Sequence, residues 1–422
     1  MSRKFRSRLF AGLLLAVNTL VAQEFTPTYR WFGDIRVRSE IDMRDFNQLT
    51  AANTVTLLRT RLGFEAIPVE NVRVLIQARD SRVFGQERDV SGAFNTLSDS
   101  RNLDLHQGYV EIKKLFTDEL ILRAGRMELS YANERLIGTV GWHNVGRVFD
   151  GALLNINLPS ASLDLFATNV GEVQPYVSVA TPTAVRYVRD VGFDFYGGYA
   201  TIKKIDNVKL DAYLLYQYDR NQAVAGKSDL KRYTLGSYAK GKTGQIDYEA
   251  ELAYQGGDRR GADVSAYMLT GTLGYSFAGS TFSRVSLGYE LLSGTPVGEM
   301  KYKTFDPLYA TNHKFYGFMD YFIAIPANTG ERGLEDVVAR ATLALSENLT
   351  ANLWLHNFSY AQPVAGASAL GQEVDIVTSY RYNTKVMFEL GVSTFIPAHN
   401  MRVRFGGADA ALWGYLSMHV TF

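Results

Sequence analysis

Arginines recur at every second position through the first part of the chain. Arg36 and Arg38 alternate with Ile35 and Val37, and Arg59 and Arg61 alternate with Leu58, Thr60 and Leu62. Arg73 and Arg79 lie with Gln77 opposite Val72, Val74 and Ile76, and Lys113 and Arg123 follow. Asp34, Glu40, Glu65 and Glu111 share these faces, so eight bases stand against four acids. A guanidinium presents a rigid fork of donors that suits carboxylates and phosphates, and rings of charge are a common selectivity device in pores. Such a ladder guides anionic or polyhydroxylated solutes, or else forms a salt-bridged lining that fills and stiffens its scaffold.

A second group of polar candidates falls between residues 120 and 158. It follows the pattern G-R-x(4)-Y-x(3)-R … W-x-N-x-G-R-x-F-D-G. The pattern is carried by Gly125, Arg126, Tyr131, Arg135, Trp142, Asn144, Gly146, Arg147, Phe149, Asp150 and Gly151. Alternating runs at 120–126 and 147–158 flank a long polar connection. In the second run Ala152, Leu154, Ile156 and Leu158 share one face, and Gly151, Leu153, Asn155 and Asn157 share the other. That period of two is the mark of a strand.

Catalytic constellations are not evident. The six histidines, at 106, 143, 313, 356, 399 and 419, are scattered and show no metal-ligand spacing such as HExxH. No G-x-S-x-G elbow or phosphate-cradling loop occurs. Ser417 and His419 share one face of the last run, but no third orienting group accompanies them. The sequence therefore offers no catalytic residue, no metal ligand set and no cofactor site.

The elements that must hold the candidates are strands. Alternating runs of about ten residues, the length of a transmembrane β-strand, extend through the chain. They fall at 30–41, 54–67, 70–80, 104–114, 119–127, 147–158, 160–169, 191–204 and 207–218, and again at 230–241, 244–255, 264–277, 281–292, 332–346, 349–359, 370–383, 384–395 and 411–422. About eighteen strands is an even number, as bacterial single-chain barrels have. Connections alternate in length. Short turns are expected near 67–69, 158–160, 204–207, 241–244, 278–280, 346–348 and 382–384. Long ones are expected at 42–53, 81–103, 128–146, 170–190, 219–229, 256–263, 293–331, 360–369 and 396–410. Short periplasmic turns and long extracellular loops are the plan of an outer-membrane barrel, and a closed barrel leaves no unpaired edge in lipid. Tyr216, Tyr218, Tyr254, Tyr275 and Phe277 fall near strand ends, as in aromatic girdles.

Composition agrees with this class. The 422 residues contain 25 Tyr, 24 Phe and no Cys, and no long apolar run of the kind a membrane helix needs. The absence of Cys excludes a disulfide scaffold or thiolate metal site. Arg3, Lys4, Arg6 and Arg8 precede a short apolar run at 9–17, and Val21-Ala22 precedes Gln23, so residues 1–22 are expected to be a secretory signal peptide. Its removal takes four basic and no acidic side chains, turning a formal charge of +1 into −3. The expectation is one barrel domain over 23–422, with nothing that suggests a nucleic-acid partner.

The motif residues resemble the alginate-export family of outer-membrane β-barrels. The segment FDPLYATNHKFYGFMDYF at 305–322 is similar to that family too, and the terminal Phe422 on an alternating strand fits the end that the barrel-assembly machinery reads. The resemblance implies an arginine-lined lumen that accepts an acidic polysaccharide, with Arg126, Arg135 and Arg147 as motif arginines and Asp150 as their partner. The alginate exporter is similar to a pore with a long periplasmic gating loop before its last hairpin. Here the corresponding turn, near 382–384, is very short, which argues against gated polymer export.

The expected function is passive passage of hydrophilic, anionic or sugar-like solutes through the outer membrane, acidic oligo- or polysaccharides among them. The expected substrate-binding set is Arg36, Arg38, Arg59, Arg61, Arg73, Arg79, Arg123, Arg126, Arg135, Arg147 and Asp150. Across the pore, Asp211, Asp219, Asp247, Glu249, Glu251 and Glu290 face inward against Lys209, Arg232, Lys240 and Arg284, so the lumen should be polarised. The 293–331 connection carries eight aromatics between Tyr302 and Phe322 and should pack into the barrel mouth. The expected surroundings are outer-membrane lipid and the assembly machinery, with the chain a monomer. A general diffusion porin, and a barrel serving as surface adhesin or anchor, are the alternatives.

Overall fold

Alternation gives each strand two unlike faces, and in the computed structural model eighteen such strands close into one antiparallel barrel. The structure describes residues 25–84, 103–172, 192–203, 205–219 and 230–422. The expected signal peptide at 1–22, and most of the expected connections 81–103, 170–190 and 219–229, lie outside the described residues. The first half comprises β1 (Thr28–Met43), β2 (Asn53–Val69), β3 (Val72–Val83), β4 (Leu103–Lys113), β5 (Leu120–Met127), β6 (Phe149–Asn157), β7 (Ala161–Glu172), β8 (Gly192–Ile202) and β9 (Val208–Asp219). The second comprises β10 (Leu230–Thr243), β11 (Ile246–Arg259), β12 (Ala262–Ser276), β13 (Phe282–Leu292), β14 (Leu334–Ala344), β15 (Leu349–Val364), β16 (Ala367–Arg381), β17 (Val386–Pro397) and β18 (Ala411–Thr421). One short helix, α1 (His399–Phe405), sits between the last two strands. No helix among the described residues is long and apolar enough to cross a membrane.

Each strand pairs with its sequence neighbours, and β1 pairs with β18 from Asp34 opposite Thr421 to Met43 opposite Leu412. The ring therefore has no free edge, which a lipid environment requires. Two expected long connections are absent. The chain keeps pairing through 256–259, and β15 runs on past an irregularity after Ser359 to Val364, which pairs with Ala367, so two-residue turns replace the loops at 260–261 and 365–366. Arg260 and Gly261 have φ of 56° and 80°, and Ala365 and Gly366 have 48° and 82°. Two consecutive positive φ values match the right-handed twist of the flanking strands. Gly256 and Gly257, which suggest a loop in sequence, are strand residues opposite Tyr233 and Arg232.

The outer face is apolar, with Leu214, Leu235, Leu252, Leu269 and Leu287 all exposed. Tyr196, Tyr216, Tyr233, Tyr254 and Tyr267 ring one rim, and Tyr29, Trp31, Phe64, Tyr275 and Phe277 ring the other. These are two aromatic girdles flanking an apolar belt. The interior is not a plain polar channel. Phe305, Phe322, Phe358, Phe395 and Trp413 are buried inside it, because connections from the long-loop rim fold inward.

Candidate functional site

The connection between β5 and β6 runs through the lumen, and the arginine ladder grips its backbone. Arg36 Nη1 donates to Gly141 O at 2.9 Å and Nη2 to Trp142 O at 2.8 Å. Arg59 Nη1 reaches the same Gly141 O at 2.8 Å. Arg38 donates to Trp142 O at 2.8 Å and lies 3.7 Å from the centroid of that indole ring. Arg61 and Arg79 donate to Val145 O at 3.3 and 3.1 Å. Asn144 Nδ2 donates to Leu58 O and Arg82 O, and Ser81 Oγ donates to Asn144 O at 2.7 Å. Carbonyl oxygens carry only partial charge, so acids complete the compensation. Asp34 lies 3.0 Å from Arg59, Glu40 2.7 Å from Arg38, and Asp104 3.3 Å from Arg79. A Cβ at Gly146 would stand 2.5 Å from Arg61 Nη2, and Gly146 has φ of 84°, so only glycine fits this crossing. Burial, then Arg38 and Arg36, hold His143 below its ordinary pKa.

The other end of the same connection is tied to the opposite wall. Arg135 makes a bidentate pair with Glu290 of β13, at 2.5 and 3.1 Å. It also lies 4.0 Å from Glu251 and 4.0 Å from the Phe315 ring centroid. Burial opposes the Arg135 charge, yet Glu290 with Tyr316 and Glu251 raises its pKa above the ordinary value. Asn133 Nδ2 donates to Glu249 at 2.5 Å. The polarised lumen expected from sequence thus holds a peptide across itself: carbonyls against the basic wall, a guanidinium and an amide against the acidic wall.

The connection between β13 and β14, residues 293–333, fills most of what remains. It pairs with the first connection through Tyr309 N–H to Leu136 O at 2.8 Å, Gly138 N–H to Tyr309 O at 2.9 Å and Thr311 N–H to Glu134 O at 2.9 Å. Arg147 donates to Tyr309 O and to Ala310 O. Its rings pack on the walls: Phe322 on Phe358 with centroids 4.7 Å apart, Tyr321 on Phe395 at 4.8 Å and Tyr309 on Phe195 at 4.7 Å. Met319 N–H donates to Glu373 Oε1 at 2.8 Å, where Asp336, His356, Glu373 and Asp375 are buried side by side on β14–β16. Among the described residues no group of His, Asp or Glu is set to hold a metal ion.

The remaining predicted residues divide. Arg73 bonds Glu65 and the Tyr109 hydroxyl, and Arg123 bonds Glu111, near the short-turn rim. Arg126 and Asp150 pair at 2.7 and 2.8 Å, but they face outward, on the opposite face from buried Met127 and Phe149. This corrects the lumenal place that the motif resemblance implies: their neighbours on that face are Leu122, Ala124 and Ala152. Several residues that matter here escape a search for charge. Trp142 bridges the connections by stacking on His313, with centroids 4.3 Å apart and planes 9° apart. Trp354, His356 and Phe358 alternate inward on β15, a signal visible in sequence only as spacing.

Below the two connections, toward the short-turn rim, a cavity of about 380 Å³ opens between Trp142, His313 and Phe318 above and Asn352, Trp354, Ser379, Glu389 and Tyr415 on the walls. Ser379 and Tyr415 hydroxyls donate to Glu389 at 3.1 and 2.5 Å.

A closed eighteen-stranded barrel with an apolar belt, a charged interior and infolded connections defines a channel of the bacterial outer membrane. The chain belongs to the alginate-export family, whose model matches residues 32–410. In fold it is similar to Pseudomonas aeruginosa OccK8 (OprE), with a TM-score of 0.60, 12% identity and coverage of 93% of this chain and 98% of that one. Pseudomonas aeruginosa OpdO matches at 0.59 and 12%, over 93% and 97% of the two chains. Pseudomonas aeruginosa OpdK with vanillate matches at 0.59 and 12%, over 93% and 98%. Identity at this level carries the fold alone. Among curated proteins none matches this chain.

Proposed function

We propose that this channel passes small hydrophilic solutes passively, with a modest anion preference, and does not carry a polymer. The observation behind this reading is the pair of connections hydrogen-bonded to each other across the lumen at Leu136, Gly138 and Tyr309. They leave a cavity suited to a small solute rather than a bore for a chain. The turn between β16 and β17, at 382–385, adds no gating segment. In this reading Arg36, Arg38, Arg59, Arg61 and Arg79, each at most 9% exposed, act on solutes through the loop they hold. Arg73 and Arg123 contribute to the field near the short-turn rim, Arg135 and Arg147 lock the connections together, and Arg126 with Asp150 works outside the pathway.

The short turns face the periplasm, and the barrel works as a monomer inserted by the assembly machinery. No catalysis is assigned: His419 lies 3.3 Å from Asp34, but among the described residues no hydrogen bond joins Ser417 to His419. Planar-bilayer recording tests the reading. Steady single-channel current in KCl with a small reversal potential toward anions is the expected result. Absence of current from a correctly folded barrel favours the anchor alternative.

A further inference from the structure

We infer that the cavity beneath the connections is a binding subsite for an uncharged sugar ring, one that disfavours the acidic sugars the family name suggests. The inference rests on the channel reading above and names the solute class of that same pathway. Three observations carry it.

The first is charge. A site for a uronate needs a free cation, and the residues lining the cavity include Glu134 and Glu389 against Lys314, while the neighbouring Arg340 guanidinium, 5.6 Å from the Trp354 ring centroid, lies 3.8 Å from buried Glu290. Lys314 Nζ donates to Asn133 O at 3.0 Å, and Glu134 at 3.7 Å offsets its charge. The ladder arginines nearest the roof are turned away: Arg36, Arg38 and Arg59 spend their Nη groups on Gly141 and Trp142 carbonyls and on acids of their own wall. A solute in the cavity therefore meets the indole of Trp142 and not the guanidinium groups behind it. A carboxylate there would face two acids.

The second is the rings. Trp354 and Phe318 lie with centroids 4.2 Å apart and both are partly exposed to the cavity. Tyr415 and Trp142 close the far side, edge to face at 4.8 Å. Aromatic surface inside a polar channel suits the apolar C–H face of a pyranose, whose hydroxyls point the other way.

The third is the placement of hydrogen-bonding groups. Two hydroxyls hold the Glu389 carboxylate in place and leave its remaining lone pairs for a solute hydroxyl. Asn352 Oδ1 accepts from Thr342, whereas the Asn352 amide nitrogen has no protein acceptor among the described residues. One fixed acceptor and one spare donor, beside rings, form a minimal polyol site. A volume of about 380 Å³ admits one or two sugar rings.

The test is current block in planar bilayers holding the full chain, with KCl as carrier and D-glucose, maltose or D-glucuronate added to the short-turn side. Glucose and maltose should lower the current in a saturable way, and glucuronate should block at least about tenfold more weakly. Trp354→Ala should weaken sugar block about tenfold by removing the ring platform. Asn352→Leu, which retains bulk, serves where the tryptophan variant does not insert, and it too should weaken block. Equal or stronger block by glucuronate, no saturable block by either neutral sugar, or block unchanged in these variants overturns the inference while the channel reading stands. Loss of all KCl current in the parent chain sinks the channel reading itself.

Discussion

The two connections that fold into this barrel are held by different forces. Residues 128–148 are strung between walls of opposite charge, with Gly141, Trp142 and Val145 carbonyls on arginines at one end and Arg135 on Glu290 at the other. Residues 293–333 are held chiefly by rings, Phe322 on Phe358 and Tyr321 on Phe395, with main-chain bonds to the first connection. Hydrogen bonds to charged groups fix direction and register. Ring burial supplies bulk stabilisation without strong directionality. The first connection thus sets where the constriction lies and what field it carries, and the second sets how much space is left.

Removing residues 300–320 tests that division most severely. The barrel should still insert, and single-channel conductance should rise severalfold because the filling rings are gone. Unchanged conductance would mean that the first connection alone limits flow.

Arg135→Ala should cost about 3–5 kcal/mol, since it strands Glu290 and Glu251 in a buried site. Denaturant unfolding in detergent should report the loss, and the open-channel current should become noisier. Phe322→Ala should cost a similar amount, about 3–5 kcal/mol, by leaving a cavity. Its reversal potential should stay where it was, and a shift there would erase the proposed contrast between the connections.

A smaller effect is expected from Arg59→Gln alone, which removes one of the two guanidinium donors to Gly141 O and leaves the Arg36 donor in place. Each charged hydrogen bond contributes about 1.5–3 kcal/mol, and the reversal potential should move toward cations. Smallest of all is Arg126→Ala. An outward ion pair contributes roughly 0–1 kcal/mol, and ion selectivity should not change. A selectivity shift there would place Arg126 back in the lumen.

The eighteen strands were legible because period-2 alternation is a local property of each run. Parity also carried more than motif matching did. Leu122, Ala124 and Arg126 are spaced by two, as are Asp150, Ala152 and Leu154, so the outward place of the Arg126–Asp150 pair was written in the spacing. The use of the ladder was not legible. Arg36 and Arg59 read alike whether they await a solute or a carbonyl, and Gly141 O belongs to the backbone, which has no residue-type signature. The inward packing of 293–331 was readable from its aromatics. The partners Phe358 and Phe395 were not, because an apolar residue on an alternating strand reads as lipid-facing. The two-residue turns at 260–261 and 365–366 were hidden by glycines that suggested loops.

The first connection has a mechanical consequence. A closed sheet resists stretching along its hydrogen bonds but flexes readily across them, so an empty barrel can flatten into an oval under the sideways squeeze of a bilayer. Here Arg36 and Arg59 on β1 and β2 stand about a third of the circumference from Glu290 on β13 and roughly half a circumference from Glu249 on β11, and one peptide joins them through Gly141, Arg135 and Asn133. It works as a tie across a hoop: widening along that diameter must break buried charged bonds first. The bore of this protein is therefore set from within, and should vary little with the thickness or packing of the lipid around it.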